Sequence, residues 1–237
     1  MTKKIFLIIV SITIFVSLLS VSAFATDLSS DFCAKPKLAT EIPPEDPLKD
    51  FVPPSMDFLA EQMVTRSITR QVAVTEPCDK AWRDIYPSNW MWQAHRCVVN
   101  ADVMLENRYG IQYYSVSQKY WTSNHTNDGD LLDEVIDEWG LRDGAGLMVA
   151  FSGIQGTGVY GVSYTDTPYC LIFDSGYEYN RETVQHETGH CYGLLHCQDE
   201  CESSCTANCV MTESGMGYID KICSEHNMTW NNARTKY

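Results

Sequence analysis

The sequence predicts a mixed α/β fold of the α+β kind, a twisted sheet with helices packed against it, on three observations. Short apolar or β-branched runs alternate with segments of helical periodicity between about Arg70 and Phe173. Leu147–Phe151 is apolar without a break, as in a central strand covered on both faces. The chain has 237 residues, which suits one domain with accessory segments, and no internal repeat is visible.

The elements follow in order. Lys3 and Lys4 precede an apolar run from Ile5 to Leu19, and Ala23-Phe24-Ala25 fits a small-x-small cleavage site. Residues 1–25 therefore read as a signal peptide, and the mature chain as secreted, extracellular or periplasmic, with no stable membrane association after cleavage. Residues 26–66 combine Pro36, Pro43, Pro44, Pro47, Pro53 and Pro54 with acidic side chains. They are expected to form a pro-segment or N-terminal arm without regular elements. Residues 67–237 form the expected catalytic domain. In it Gln71–Thr75 reads as a strand. Met91, Ala94, Val98, Ala101 and Leu105 recur at spacings of three and four, which predicts one long helix stopped at Gly110. Ile111–Trp121 reads as a strand and Asp130–Trp139 as a shorter helix. After the central strand come strands at Val159–Tyr164 and Cys170–Phe173, then a helix whose expected cap is Asn180.

Charge and cysteines bound the function. Removing residues 1–25 takes away two lysines and no acid, so 17 basic side chains become 15 against 31 acidic ones, a formal charge of −16. Such a surface repels nucleic acid and anionic membrane. All ten cysteines follow the signal: Cys33, Cys78, Cys97, Cys170, Cys191, Cys197, Cys201, Cys205, Cys209 and Cys223. An even number in an exported chain reads as a disulfide framework, although Cys197, Cys201, Cys205 and Cys209 could instead bind a metal.

The chemistry lies in His186-Glu187-Thr188-Gly189-His190-Cys191-Tyr192-Gly193-Leu194-Leu195-His196. Two histidines four apart share one helix face, so both imidazoles can reach one metal ion. Glu187 beside them is placed as general base. Gly193 can take a left-handed conformation, end the helix and turn the chain so that His196 supplies a third nitrogen. Three protein ligands leave a fourth position for water, the mark of a catalytic zinc site; such zinc lowers the pKa of that water to about 7 and polarises a carbonyl. Five fixed residues in eleven, three of them histidine, arise by chance in only about one chain in 10⁵ at average composition, so accident is a poor account of the motif. His95, His125 and His226 lack metal spacing and read as ordinary surface or helix residues.

This motif, with Met211 fifteen residues after His196, resembles that of the metzincin metallopeptidases, and most closely their adamalysin, or reprolysin, branch. The branch likeness rests on Gly161-Val162-Ser163-Tyr164 running on to Cys170, on Cys209-Val210-Met211, and on Ile222-Cys223-Ser224. The resemblance implies a zincin-like domain with a mixed twisted sheet, an active-site helix and a Met-turn at Met211. It implies one catalytic zinc ion held by His186, His190 and His196. It also implies that Gly161, Val162, Ser163 and Tyr164 form an exposed edge strand that binds an extended substrate, and that Cys170 and Cys223 form a disulfide. Cys33 in the arm has two readings, a latency switch that ligates the zinc or a disulfide partner. Two positions depart from relatives: Cys197 follows the third histidine where adamalysins have aspartate, and Glu213 stands where astacins have tyrosine. The expected function is a secreted, monomeric zinc metalloendopeptidase acting on protein or peptide. A catalytically silent or toxin-like binding module on the same scaffold is disfavoured by the complete set of ligands and base.

Overall fold

A computed structural model describes residues 30–34, 70–155, 157–200, 208–213 and 218–237. The expected signal peptide and most of residues 26–66 lie outside the described residues. Six strands form one sheet: β1 (Ser30–Ala34), β2 (Arg70–Cys78), β3 (Ile111–Tyr120), β4 (Leu147–Ser152), β5 (Val159–Tyr164) and β6 (Tyr169–Phe173), in the order β1-β5-β6-β4-β2-β3. The pairs β2–β3, β2–β4 and β4–β6 are parallel, while β5–β6 and β1–β5 are antiparallel. The helices are α1 (Lys80–Ile85), α2 (Trp90–Ala101), α3 (Val103–Tyr109), α4 (Asp128–Glu138), α5 (Tyr177–Cys191), α6 (Cys197–Glu200) and α7 (Ser224–Ala233). The architecture is the expected mixed α/β one. Among the described residues no helix is long and apolar enough to cross a membrane.

The unbroken apolar run of β4 has the cause the sequence suggested. Successive side chains of a strand point to opposite faces. Leu147, Val149 and Phe151 enter one core with Ile172 of β6 and Val98 of α2. Met148 and Ala150 enter the other, with Leu171, Phe173 and Leu131 of α4. All six residues of β4 are buried.

Four elements differ from expectation. The long helix breaks at Asp102 into α2 and α3, because the Asp102 carboxylate is buried and accepts the Tyr113 backbone N–H at 2.7 Å at the start of β3. Gly110 does end the second piece, in the left-handed region at φ 69°. Helix α5 starts at Tyr177 after Gly176, three residues before the expected cap. Asn180 lies within its first turn, where it accepts from Ser175 N and donates to Asp174 Oδ1, both at 2.8 Å, fastening the preceding loop. Part of the N-terminal arm is regular: β1 pairs along β5, with Phe32 opposite Val162 and Ala34 opposite Val159. The expected edge strand β5 is thus flanked on both sides, since an extended segment can satisfy an open row of backbone groups. Cys33 falls at the register shift between those two pairs.

Asp79 fixes the junction of β2 and β4. Its buried carboxylate caps α1 through Trp82 N at 2.7 Å and also accepts from Ser152 Oγ at 2.6 Å and Gly153 N at 3.1 Å. A Cβ on Gly153 would lie 2.3 Å from the Ala81 backbone carbon, so only glycine allows this approach.

Glu76, on β2, is fully buried and accepts from Ser115 Oγ and from Gln118 Nε2. Burial pushes its carboxyl up from 4.5 to about 7, against the pull of those two hydrogen bonds. The folded chain therefore binds a proton that the unfolded chain has released between about pH 4.5 and about pH 7. The associated stability is present below about pH 4.5 and is lost as the pH rises through about 7. Glu76→Gln is expected to remove that part of the pH slope, on the order of 3 kcal/mol. Urea unfolding of both proteins across this range checks it, and an unchanged slope contradicts the assignment.

Candidate metal centre

Helix α5 is unusual in being buried while largely polar. Asn180, Glu182, Thr183, Gln185, His186, Glu187, Thr188 and His190 are all buried. Each buried polar group needs a partner, and several find one in other segments. Gln185 Nε2 donates to Ala101 O at 2.7 Å and Gln185 Oε1 accepts from Asp220 N at 2.7 Å. Glu182 Oε1 accepts from Tyr218 N at 2.6 Å. The helix is thereby tied to α2 on one side and to the loop before α7 on the other.

The helix ends where the motif requires. Tyr192 N donates to Thr188 O at 3.0 Å, Gly193 N to His190 O at 2.7 Å and Leu194 N to Gly189 O at 3.1 Å. Gly193 sits at φ 93°, a conformation that side-chain-bearing residues rarely adopt, and the chain reverses there. The reversal brings His196 back over the helix. The Nε2 atoms of His186, His190 and His196 then lie 3.1–3.2 Å from one another.

The other ring nitrogens say what those Nε2 atoms are. His186 Nδ1 lies 2.6 Å from Val210 O and His190 Nδ1 lies 2.7 Å from Leu194 O. A carbonyl only accepts, so both Nδ1 atoms carry the proton and both Nε2 atoms present a lone pair. Burial holds the His190 imidazole down at about 3 and that of His186 well below the ordinary histidine range, with the neighbouring histidines adding to it. Neutral rings with lone pairs facing one point repel each other unless a cation sits between them. The centre of such a triangle lies about 1.8 Å from each corner, so an ion slightly off its plane meets the zinc–nitrogen distance of roughly 2.0–2.1 Å. The three imidazoles could hold one metal ion.

Glu187, also fully buried, faces β5. Ser163 Oγ donates to Glu187 Oε2 at 2.7 Å. A Cβ on Gly161 would lie 2.8 Å from Glu187 Cγ and 2.7 Å from Thr183 Cγ2, so β5 approaches the helix closely because Gly161 has no side chain. Gly161 and Ser163 were expected to serve substrate through their backbone; the structure gives both a part in placing the carboxylate. Val162 points to the opposite core, and Tyr164 OH donates to Asp133 Oδ1 at 2.6 Å.

Met211 lies in a turn closed by Thr212 N donating to Cys209 O at 3.0 Å. Its Sδ fills the space over Gly189, 2.5 Å from where a Cβ would stand, between the two histidines of the helix. Cys197 N donates to Met211 O at 2.9 Å, which ties this turn to the residue after His196.

The cysteines are arranged differently from expectation. Among the described residues the expected disulfides do not appear: Cys170 and Cys223 are both free thiols, as are Cys78, Cys97, Cys191, Cys197 and Cys209. Cys223 instead gathers with Cys197, Cys209 and His226, their ligand atoms all within 4.8 Å of one another. The expected Cys170–Cys223 bridge is therefore not formed, because Cys223, at the start of α7, gathers with Cys197, Cys209 and His226. His226 is fully buried and belongs to this second cluster, contrary to its reading as an ordinary residue. The spacing Cys223-x-x-His226 was the available signal. Cys201 and Cys205 lie outside the described residues, and nothing is described of the Cys33 side chain. His95 bonds Ser115 Oγ at 2.7 Å and His125 lies by Asp130, both apart from the two clusters.

No protein-family model matches the chain, and no curated protein sequence matches it. Solved structures do match. A chain from a structure of a chaperone-substrate complex superposes with a TM-score of 0.50 over 70% of this chain, at 12% identity. This chain spans 35% of that one, and at such identity the likeness is one of fold alone.

Gly161→Ala is expected to lower the unfolding free energy by about 1–3 kcal/mol, because the added methyl overpacks the contact between β5 and α5. Urea denaturation reads the change, and a variant as stable as the parent contradicts the packing described.

Proposed function

We propose that the chain is a zinc-dependent metalloendopeptidase of the metzincin kind, exported and acting on protein or peptide. The observation that carries the reading is the convergence of three buried imidazole Nε2 atoms at 3.1–3.2 Å, beside a buried glutamate on the same helix. Metal-ligating histidines characteristically donate their other ring N–H to a carbonyl, as His186 and His190 do here. Met211, packed on Gly189 beneath the helical pair, takes the place of the Met-turn.

His186, His190 and His196 would hold the zinc ion, which would supply Lewis-acid polarisation of the carbonyl and of a water molecule. The protein's own residues do the rest. Glu187 takes a proton from the water whose oxygen bonds the carbonyl carbon, and gives it to the amine nitrogen as the C–N bond breaks. Ser163 holds Glu187 Oε2 and so fixes the direction of that transfer. Substrate binds in extended form at the outer edge of β5, where main-chain bonds supply affinity. The antiparallel pairing of β1 there supports this, because it is the kind of pairing an extended peptide would make. The occupied edge also fits residues 26–66 acting as a pro-segment.

Glu187→Gln is expected to keep its zinc and to lose about 10²–10⁴-fold in kcat/KM on an unfolded protein substrate, with the parent activity abolished by a chelator. Metal analysis and a cleavage assay on the same preparations check it. A fully active Gln variant, or cleavage indifferent to chelation, overturns the proposal.

A further inference from the structure

A second group of metal-ligating side chains lies beside the first, and the peptidase reading does not use it. Cys197, Cys209 and His226 are buried and Cys223 is half-buried. His226 Nδ1 lies 3.6 Å from Cys197 Sγ, 3.4 Å from Cys209 Sγ and 3.1 Å from Cys223 Sγ. Tetrahedral zinc with bonds of roughly 2.3 Å to sulfur and 2.0–2.1 Å to nitrogen sets sulfur-to-nitrogen edges at about 3.5 Å. The three distances bracket that value. A single disulfide would use two of the sulfurs and has no role for the third or for the imidazole. Four protein ligands leave no position for water, which is the arrangement of structural rather than catalytic zinc.

We propose that Cys197, Cys209, Cys223 and His226 form a second, structural zinc site that positions the third histidine and the Met211 turn of the first. Cys197 follows His196 directly. Cys209 precedes Val210, whose carbonyl takes the His186 Nδ1 proton at 2.6 Å. Cys223 and His226 lie at the start of α7, whose Trp230 packs against the helix under Gly189. An ion in this site joins the third-ligand loop, the turn and the C-terminal helix at one point. It thereby fixes the backbone next to His196 and the carbonyl that holds the His186 ring. The spacing of Cys197, Cys201, Cys205 and Cys209 pointed to a different quartet; among the described residues, two of those gather with Cys223 and His226 at the start of α7.

The second site stands without the peptidase reading; only its positioning role rests on that reading. The test uses the full chain purified with zinc under reducing conditions. Two zinc ions per chain are expected. Exchange for cobalt should give an intense thiolate-to-cobalt charge-transfer absorption in the near ultraviolet, which three imidazoles cannot produce. One ion per chain with no such absorption overturns the site, as does a disulfide between any two of Cys197, Cys209 and Cys223 in non-reduced peptides. His186→Ala with His190→Ala should keep the absorption, so failure of the peptidase reading leaves this result legible. Cys223→Ser and His226→Ala should each lose the absorption and one ion, and weaken zinc binding at the remaining site by about 10–100-fold. Unchanged affinity there overturns the positioning role. If either variant fails to fold, the metal count and cobalt spectrum of the parent decide the site.

Discussion

Three buried imidazoles whose Nε2 atoms converge on one point do not hold themselves there, and the rest of this structure is arranged around that constraint. Two of the rings are fixed from behind by carbonyls, Val210 O for His186 and Leu194 O for His190. Neither carbonyl belongs to the helix that carries the rings. Leu194 follows the reversal at Gly193, and Val210 belongs to the turn that holds Met211. The helix is therefore correctly presented only when the chain after it has folded back, and that chain is held by the helix in return. The centre is a closed loop of dependencies between α5, the third-ligand segment and the Met211 turn.

Such a centre needs a polar helix in the interior, which is costly. An amide or carboxylate left without a partner there costs about 1–3 kcal/mol or more. The partners found are mostly distant in sequence: Ala101, Asp220, Tyr218 and Ser163. Each bond offsets the burial of one side chain and at the same time pins a separate segment to α5. The polar groups are thus also what orients the surrounding loops. Apolar packing continues around them, with Met211, Val184 and Trp230 in the same core as Val149 and Ile172 of the sheet.

Much of this was legible in the sequence because the relevant signals are local. The spacing of His186 and His190, the position of Gly193 and the apolar run of β4 each depend on residues within a few positions of one another. The break at Asp102 was not legible, since the apolar pattern runs on through it. Its cause is a carboxylate meeting the backbone of Tyr113, a contact between helix and strand. The cysteine pairing was not legible either, because it depends on where α7 docks. Cys223 and His226 were separated in the reading although they are one helical turn apart, and only the docked helix shows them facing Cys197 and Cys209. The roles of Gly161 and Ser163 stayed hidden for the same reason, since they depend on how closely β5 approaches α5.

The reversal of strand direction at β5 explains why one short segment both meets Glu187 and pairs with β1. The parallel strands β2, β4 and β6 reach their neighbours through crossovers, whereas β5 pairs antiparallel with β6 across a tight connection at Asp166 and Thr167. That hairpin lays β5 alongside α5, the helix that follows β6. Alternation along the strand then sends Gly161 and Ser163 toward Glu187 and Val162 toward the other core. One position must lack a side chain for the helix to come close, and the other must offer a hydroxyl at the distance this creates. The backbone of the same residues faces sideways, where β1 pairs with it. β1 thus lies beside Glu187 through the thickness of a single strand, so the packing that orients this carboxylate also sets where an extended segment pairs.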